Sequence, residues 1–304
     1  MKKFTSVLLD LMAADASAVM LDADLSRSSG SGPVKDRWPD RFLNTGIAEQ
    51  NTMGVAAGLA LAGLRPLVHT FAAFATMRAC EQVRTAIAYQ KLNVTICASK
   101  AGLAAASSGP THHALEDLAI MRSIPGMTVV APSDFQELAY LLPDLVRHEG
   151  PVYVRVPPED APVLPSAGPS LGQADREEAS APVALVTTGI LGERAHRTGE
   201  LLESMGIATR VLHVPFVKPL DRRPILSRIA RARLVVTIEE HSVIGGLGSA
   251  VAELIAEEGG PPLWRVGVDD VFCYASGTHN ELISDFVLTP EELATRIRNR
   301  ISTW

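Results

Sequence analysis

Short β-rich runs alternate with helical patterns along this chain, and this alternation limits the fold more than any other feature. In the first half, the runs that read as strands are 18–21, 66–70, 93–98, 127–130 and 152–156. In the second half they are 183–188, 208–214, 233–238 and 263–268, with helices near 193–204, 246–257 and 290–300. Strands that alternate with helices predict βαβ units and a parallel sheet.

The segment between Pro157 and Pro182 is dense in Pro, Gly, Ser, Ala and acidic residues, and it shows neither helical nor strand periodicity. We interpret residues 158–181 as a linker. The prediction is therefore two doubly wound α/β domains: a parallel-sheet domain at residues 1–157 and a smaller α/β domain at residues 182–304.

Composition supports two globular domains, because 304 residues with 47% hydrophobic content provide enough apolar mass for both. The net charge of -6 argues against nucleic acid or an anionic membrane as partner, since both need a concentrated basic face. No stretch approaches the roughly 20 apolar residues that span a bilayer. We therefore expect a small substrate and no membrane association.

Three cysteines, Cys80, Cys97 and Cys273, are too far apart for a metal knuckle and odd in number, which indicates reduced thiols in a cytoplasmic protein. The N-terminal residues begin like a signal peptide, but Asp10 and Asp15 interrupt the apolar core that such a peptide needs. We expect a first amphipathic helix there. A capping box of Ser133 and Gln136 predicts a further helix that runs to about residue 148.

Glu49 stands in the run Gly46-Ile47-Ala48-Glu49-Gln50-Asn51, among small and apolar residues at a predicted helix start. A carboxyl group taken out of water tends to keep a proton or to share it with a buried basic partner. A carboxylic acid of this kind is what holds a ring nitrogen of the aminopyrimidine of thiamine diphosphate. The alternative is an ordinary glutamate that the helix dipole favours at a helix start.

The helix that follows places Gly54 and Gly58 one turn apart, which predicts close packing, either with another backbone or simply with the sheet. Phe71 and Phe74 follow a predicted strand, at the edge where open α/β sheets bind ligands. The two rings could enclose a flat heterocycle or belong to the core.

Three further loops are candidates for binding. Residues 100–117 form a loop rich in Gly, Ala and Ser that leads through His112 and His113 into a helix. A histidine there suits proton transfer or a substrate hydroxyl, although His113 more simply reads as a capping or surface residue. Residues 22–28 mix carboxylates, hydroxyls and an arginine, which fits a charged ligand or a solvated loop. The glycine run at 245–248 is a weak phosphate signal and reads better as a helix start.

Taken in order, these segments resemble the pyrimidine-binding and C-terminal domains of transketolase over essentially the whole chain. The matching stretches include DADLSRSS, GIAEQNTMGVAAGLALAG, HTFAAF, SGPTHHALEDLAIMRSIPGMTVVAPSD and EEHSVIGGLGSAVAE. The resemblance implies that Glu49 binds and activates the aminopyrimidine and that Phe71 and Phe74 pack on its ring. It also implies cofactor contacts from Asp24, Leu25 and Ile47, a donor-sugar contact from His112, and sugar-phosphate contacts from Ser28 and Arg155.

The chain departs from the family pattern at one position of the cofactor pocket, Met77, and at a few positions near the sugar. Met77 replaces an aromatic residue, Ser108 replaces an acidic residue that reads a donor hydroxyl, and Lys100 replaces a histidine that contacts phosphate. Lys100 and Ser108 therefore become candidate substrate contacts. The cofactor half of the pattern is retained, and the sugar half is altered.

The Gly-Asp-Gly motif and downstream Asn of the family's diphosphate-binding domain do not occur in this sequence. The chain therefore resembles the C-terminal subunit of a split transketolase. We expect it to be inactive without a partner subunit. We expect an N-terminal subunit to supply the diphosphate contacts and Mg²⁺ or Ca²⁺, in a heterotetramer with two copies of each chain. Glu49 and His112 are the expected catalytic residues, with a sugar phosphate as substrate. Two alternatives are a 2-oxo acid dehydrogenase beta subunit and a non-catalytic regulatory subunit.

Overall fold

The computed structural model describes residues 2–26, 30–164 and 181–302. In its first half, six strands form a parallel sheet: β1 (Ala18–Asp22), β2 (Phe42–Asn44), β3 (Arg65–Phe71), β4 (Thr95–Ser99), β5 (Thr128–Val130) and β6 (Val152–Arg155). Their spatial order is β2-β1-β3-β4-β6-β5. Apolar side chains cover both faces of this sheet in two separate clusters, as expected for parallel strands.

Helices connect these strands: α1 (Lys2–Ala14), α2 (Gly32–Arg37), α3 (Glu49–Leu61), α4 (Cys80–Gln82), α5 (Asp117–Ser123) and α6 (Phe135–Arg147). Two π-helical stretches, Phe74–Arg78 and Val83–Ala88, flank α4. Such wide turns often occur at functional sites. The first of them begins three residues after the end of β3.

The second half forms a parallel sheet of four strands in the order β11-β10-β7-β8. The strands are β7 (Val183–Thr187), β8 (Thr209–His213), β10 (Leu234–Ser242) and β11 (Leu263–Val268). The helices are α7 (Gly192–Ser204), α8 (Arg222–Ile229), α9 (Leu247–Glu258), α10 (His279–Phe286) and α11 (Pro290–Ser302). The expectation of a parallel α/β domain followed by a second, smaller one is confirmed.

One strand of the second half joins the sheet of the first. β9 (Phe216–Lys218) pairs antiparallel with β5, so the first sheet has seven strands in total. A second link is the side-chain contact from His213 Nε2 to Glu137 Oε2, at 2.9 Å, between two buried groups. The sequence pattern did not predict β9, because three residues are too few to show strand periodicity.

Two local expectations need correction. The helix predicted from a Ser133–Gln136 capping box begins one residue later, and its N-cap is Asp134, which accepts the N–H groups of Gln136 and Glu137. The side chain of Glu137 in turn accepts the N–H of Ser133, the residue before the N-cap, at 2.7 Å. The reason is geometric: Asp134 has the extended backbone of an N-cap, and its carboxylate faces the first free N–H groups of the helix.

The small-residue face of α3, at Gly54 and Gly58, is not packed by the part of the chain that the structure describes. Gly54 and Gly58 are exposed, and a Cβ atom built on either would have no neighbour within 4 Å. This face is therefore available for another polypeptide. The expected linker, residues 158–181, lies largely outside the described residues. None of the described helices has the length and apolar character needed to cross a membrane.

Candidate active site

Glu49 is the first residue of α3, and it is only 2% exposed. Arg78, in the π-helical stretch after β3, donates from Nη1 to Glu49 Oε2 at 2.8 Å. The guanidinium carbon of Arg78 also lies 4.0 Å from the centroid of the Phe74 ring. A glutamate at a helix start is usually solvated, whereas this carboxylate is enclosed and paired. The burial therefore favours a chemical role over a simple dipole effect.

Three rings meet beside this ion pair. The Phe71 and Phe74 centroids are 6.0 Å apart, and His112 lies edge-on to both, at 6.4 Å from Phe71 and 5.2 Å from Phe74. Phe71 is the last residue of β3, and Ser99, its neighbour in β4, precedes the loop that carries His112. The expected site residues Glu49, Phe71, Phe74 and His112 are thus brought together at the carboxyl edge of the sheet.

The loop after β1 is organised by Asp22, which is fully buried. Its carboxylate accepts the N–H of Leu25 at 2.6 Å and the hydroxyl of Ser31 at 2.7 Å, and His69 Nδ1 lies 3.5 Å away. Burial alone would raise the pKa of Asp22, but the adjacent His69 ring and the hydrogen bonds from Ser31 and Leu25 outweigh it, so this pKa lies below its ordinary value. Asp22 therefore fixes the backbone that presents Asp24 and Leu25.

Asp24 is exposed, with a left-handed φ of 62°, and its carboxylate accepts the side-chain N–H of Asn44 at 2.9 Å. The Asn44 side-chain oxygen in turn accepts the N–H of Gly46, three residues before α3 begins. Ile47, in that turn, is 75% exposed. These contacts join the β1 loop to the Glu49 turn, and they leave an apolar side chain uncovered beside the site.

The remaining candidate substrate contacts are less closely grouped. Lys100 and Ser108 are both exposed on the loop after β4, and Lys100 has a left-handed φ of 56°. Ser28 lies outside the described residues. Lys100 and Ser108 therefore lie on the same loop as His112. Among the described contacts, neither side chain touches the His112 ring, so their roles stay predictions.

Arg155 is not brought to the aromatic cluster. It is 7% exposed, and its Nε and Nη2 donate to the two oxygens of buried Asp117 at 2.9 and 2.5 Å. Its Nη1 donates to the carbonyl of Glu240 at 3.1 Å, and Tyr153 donates to the same Asp117 carboxylate. Asp117 raises the pKa of Arg155 against the effect of burial. This arrangement differs from the expected sugar-phosphate contact, because the guanidinium is bonded to Asp117 in an internal ion pair.

Burial decides the expectation for His113, and hydrogen bonds from the helix start decide the one for the glycine run at 245–248. His113 was expected to cap a helix or face solvent, and this was wrong: it is 5% exposed, and burial lowers its pKa. The glycine run at 245–248 is a helix start rather than a phosphate site. Glu239 accepts the N–H groups of Leu247 and Gly248 at 2.6 and 2.8 Å, so the chain's own carboxylate occupies that helix end.

The donor set suits the pyrimidine end of thiamine diphosphate. An enclosed carboxylate can bind a ring nitrogen, and the adjacent Phe71 and Phe74 rings can pack on a flat heterocycle. Among residues 2–26, 30–164 and 181–302, no group of three or more His, Cys, Asp or Glu side chains could hold a metal ion.

Sequence reasoning missed Arg78. A signal was present, because Arg78 lies four residues after Phe74, a spacing at which a cation and an aromatic ring share a helix face. What the sequence could not show was that the π-helical turn brings this guanidinium to Glu49, 29 positions away. It also missed the distant partners of Glu240, which are Leu103 and His279.

Comparison with known proteins agrees with this geometry. Residues 1–162 match the family model described as transketolase, pyrimidine binding domain, and residues 172–293 match transketolase, C-terminal domain. A putative transketolase C-terminal section of Methanocaldococcus jannaschii is 38% identical over 301 residues, covering 97% of this chain and 94% of that protein.

A 6-deoxy-6-sulfo-D-fructose transketolase subunit of Clostridium sp. is 40% identical over 292 residues, covering 95% of this chain and 90% of that protein. Among solved structures, a split gene transketolase described as an inactive beta4 tetramer is 40% identical with a TM-score of 0.85. That match covers 98% of this chain and 96% of the solved one. These relatives correspond to the present chain over nearly their whole length.

Proposed function

The chain belongs to the transketolase family, and we propose that it is the C-terminal subunit of a two-chain transketolase that moves a two-carbon ketol unit from a ketose to an aldose. The observation that carries this proposal is the enclosed Glu49 carboxylate beside the Phe71, Phe74 and His112 rings. The family depends on thiamine diphosphate, whose thiazolium ring supplies the electron sink for cleavage of a carbon–carbon bond.

In this proposal, Glu49 binds the aminopyrimidine nitrogen and holds a proton there, while the two phenylalanine rings pack against the heterocycle. Arg78 contributes by keeping the Glu49 side chain in one orientation through its 2.8 Å hydrogen bond. Asp24, Leu25 and Ile47 complete the cofactor contacts from the β1 loop and from the turn before α3. Glu49 is only 2% exposed, and a low-dielectric surrounding strengthens a hydrogen bond from its carboxyl group.

His112 acts on the sugar side. Its ring is held edge-on against Phe74, and its Nδ1 lies 2.9 Å from the hydroxyl of Thr111. We propose that it binds a donor hydroxyl and exchanges a proton with it. Lys100, Ser108, Ser28 and Arg155 are the proposed further substrate contacts. For Arg155, binding the substrate requires an N–H group of the guanidinium that is not already bonded to Asp117.

We propose that an N-terminal subunit supplies the diphosphate contacts, the Mg²⁺ or Ca²⁺ ion and the remainder of the sugar site. The exposed Ile47 side chain beside the site supports a partner there, because an isolated apolar group of this size gains by being covered. The exposed Gly54 and Gly58 face of α3 supports contact with a second copy of this chain. Both contacts together give the proposed heterotetramer.

Two other activities would use a related site. A 2-oxo acid dehydrogenase beta subunit would release CO₂, whereas a transketolase exchanges ketol units without releasing it. A regulatory subunit would bind the cofactor without turning over any ketose. Retention of Glu49, Phe71, Phe74 and His112 in one cluster supports the catalytic alternative.

The test is to express the chain with a candidate N-terminal subunit and to screen ketoses with and without a terminal phosphate or sulfonate. Ketol exchange that needs both chains is the expected result. CO₂ release from a 2-oxo acid, or cofactor binding without exchange on any ketose in the screen, would contradict the proposal.

A further inference from the structure

The loop that carries Ser108 and His112 is closed at its base by two hydrogen bonds. Gly102 donates its N–H to the carbonyl of Ala114 at 3.0 Å, and Ala114 donates back to Gly102 at 2.9 Å. Between these residues the only regular structure is one turn of 3-10 helix, Ala106–Ser108. The position of His112 therefore depends strongly on what holds the base of the loop.

Both ends of this loop are fastened to the C-terminal end of β10, a strand of the second domain. At the first end, Leu103 donates its N–H to Glu240 Oε1 at 2.6 Å. At the second end, Ser242 donates its N–H to the carbonyl of Leu115 at 2.8 Å. One short piece of strand thus spans the base of the loop from one side to the other.

Glu240 is itself held in place. It is 4% exposed, and His279 Nε2 lies 2.7 Å from the same Oε1 atom. Burial opposes protonation of His279, but the charge and hydrogen bond of Glu240 outweigh it, so the pKa of His279 lies above its ordinary value. The carboxylate therefore has a close partner at 2.7 Å that keeps its oxygen directed at the loop.

Gly102 shows how close this contact is. It has a left-handed φ of 59°, and a Cβ atom on it would lie 2.5 Å from the Cδ of Glu240. Any side chain at this position would displace the carboxylate. Glycine at position 102 and glutamate at position 240 are therefore complementary across the domain boundary.

We propose that Glu240 is a positioning residue for His112 and that the second domain takes part in catalysis by setting the substrate loop. Burying a carboxylate is costly, and an apolar side chain would join the two domains with a smaller loss of hydration. What the carboxylate adds is a directed acceptor for the backbone of Leu103. This inference rests on the proposed function, because His112 is taken to contact the ketose.

The test uses the assembled two-chain enzyme with Glu240→Ala and Glu240→Gln. The alanine variant should lower kcat/KM for the ketose about tenfold to a hundredfold, as a displacement of about 1 Å in a contact residue does. Its affinity for thiamine diphosphate should stay within about twofold of wild type, because the Glu49 carboxylate is held by Arg78, which lies outside this loop. The glutamine variant keeps an oxygen for Leu103 and should recover most of the loss.

A matched control is Glu253→Gln. Glu253 accepts a hydrogen bond from Arg122 across the same domain boundary at 2.7 Å, away from the loop. This variant should leave the kinetics unchanged. If it lowers kcat/KM as much as Glu240→Ala does, the effect is a general loosening of the boundary and the proposal is wrong.

Hydrogen exchange separates this proposal from the proposed function. In Glu240→Ala, the amides of residues 102–114 should exchange at least about tenfold faster than in wild type, whereas Glu253→Gln should leave them unchanged. This measurement needs no turnover, so it remains decisive if the wild-type complex transfers no ketol unit. Unchanged exchange in Glu240→Ala, or faster exchange with unchanged kcat/KM in an active complex, would overturn the positioning role.

Discussion

Arg78 donates a 2.8 Å hydrogen bond to Glu49, and it does so from a guanidinium that lies over the Phe74 ring. The carboxylate is 2% exposed, whereas the Arg78 side chain is 46% exposed. One charge is therefore enclosed and the other reaches solvent, so the pair can be perturbed from the arginine side without opening the core. Because of this difference in exposure, the roles of Glu49 and Arg78 can be tested separately by mutation.

Replacing Glu49 with Gln should abolish the proposed chemistry while preserving the fold. Glutamine is nearly isosteric but cannot exchange a proton, so turnover of the two-chain complex should fall by about a hundredfold or more. Steady-state ketol transfer at saturating thiamine diphosphate measures this. The free energy of unfolding, followed by circular dichroism in urea, serves as the control for folding. Turnover within twofold of wild type would rule out Glu49 as the catalytic carboxyl group.

Replacing Arg78 with Met should leave Glu49 buried without its cationic partner. Because Arg78 is itself nearly half exposed, the expected loss in the free energy of unfolding is about 1–2 kcal/mol, smaller than for a fully buried pair. Urea denaturation measures it. Arg84→Met, at an exposed position in the second π-helical stretch, is the matched control and should change stability little. Equal losses in both variants would indicate a helix-propensity effect rather than loss of the pair.

The Asp117–Arg155 pair should behave as part of the domain boundary. Asp117→Asn removes one buried charge and leaves the other uncompensated, so the free energy of unfolding should fall by about 3–5 kcal/mol. The double variant Asp117→Asn, Arg155→Met should recover part of that loss, since no unpaired charge then remains buried. A double-mutant cycle in urea measures the coupling. Strict additivity of the two substitutions would contradict the pair.

Acidification should weaken the contact between the two domains at His241. Burial lowers the pKa of His241 to about 4, and its neutral ring donates from Nδ1 to the Ser242 carbonyl and accepts the N–H of Ala119 at Nε2. The unfolded chain binds a proton near pH 6.5 and the folded chain does not, so stability falls as the pH drops from 6.5 to 4. The expected loss is about 3 kcal/mol over this range.

His241→Gln is the control for that titration, because glutamine does not ionise. Unfolding free energies of wild type and variant, measured from pH 7 to pH 4, should converge as the pH falls, since only wild type loses the His241 contribution. Other groups, including Glu239, titrate in both proteins and cancel in the difference. A difference that stays constant with pH would contradict the assigned state of His241.

The secondary structure could be predicted largely from periodicity, and three candidate site residues, Phe71, Phe74 and His112, from their positions after strands. Phe71 follows β3 directly, and the loop with His112 follows β4, so parallel pairing alone brings them to one edge. Glu49 could be identified because its neighbours are small and apolar. These inferences depend only on local sequence and on the general behaviour of open α/β sheets.

The features that could not be predicted all join distant parts of the chain. Glu240 finds its partner at Leu103, 137 positions away, and Arg78 finds Glu49 at 29 positions. The resemblance to transketolase implies a sugar-phosphate contact for Arg155, whereas its internal partner Asp117 lies on a helix that the sequence gave no reason to pair with it. Such contacts follow from tertiary packing, for which one sequence carries no direct signal.

The antiparallel pairing of β9 with β5 also bears on how the polypeptide can be divided. Residues 1–157 produced alone would present β5 as an open strand edge, which invites pairing between molecules and precipitation. The second half produced alone would carry β9 with no sheet to join. The two halves are thus interdependent for solubility, and truncation at the apparent boundary should yield neither as a well-behaved fragment.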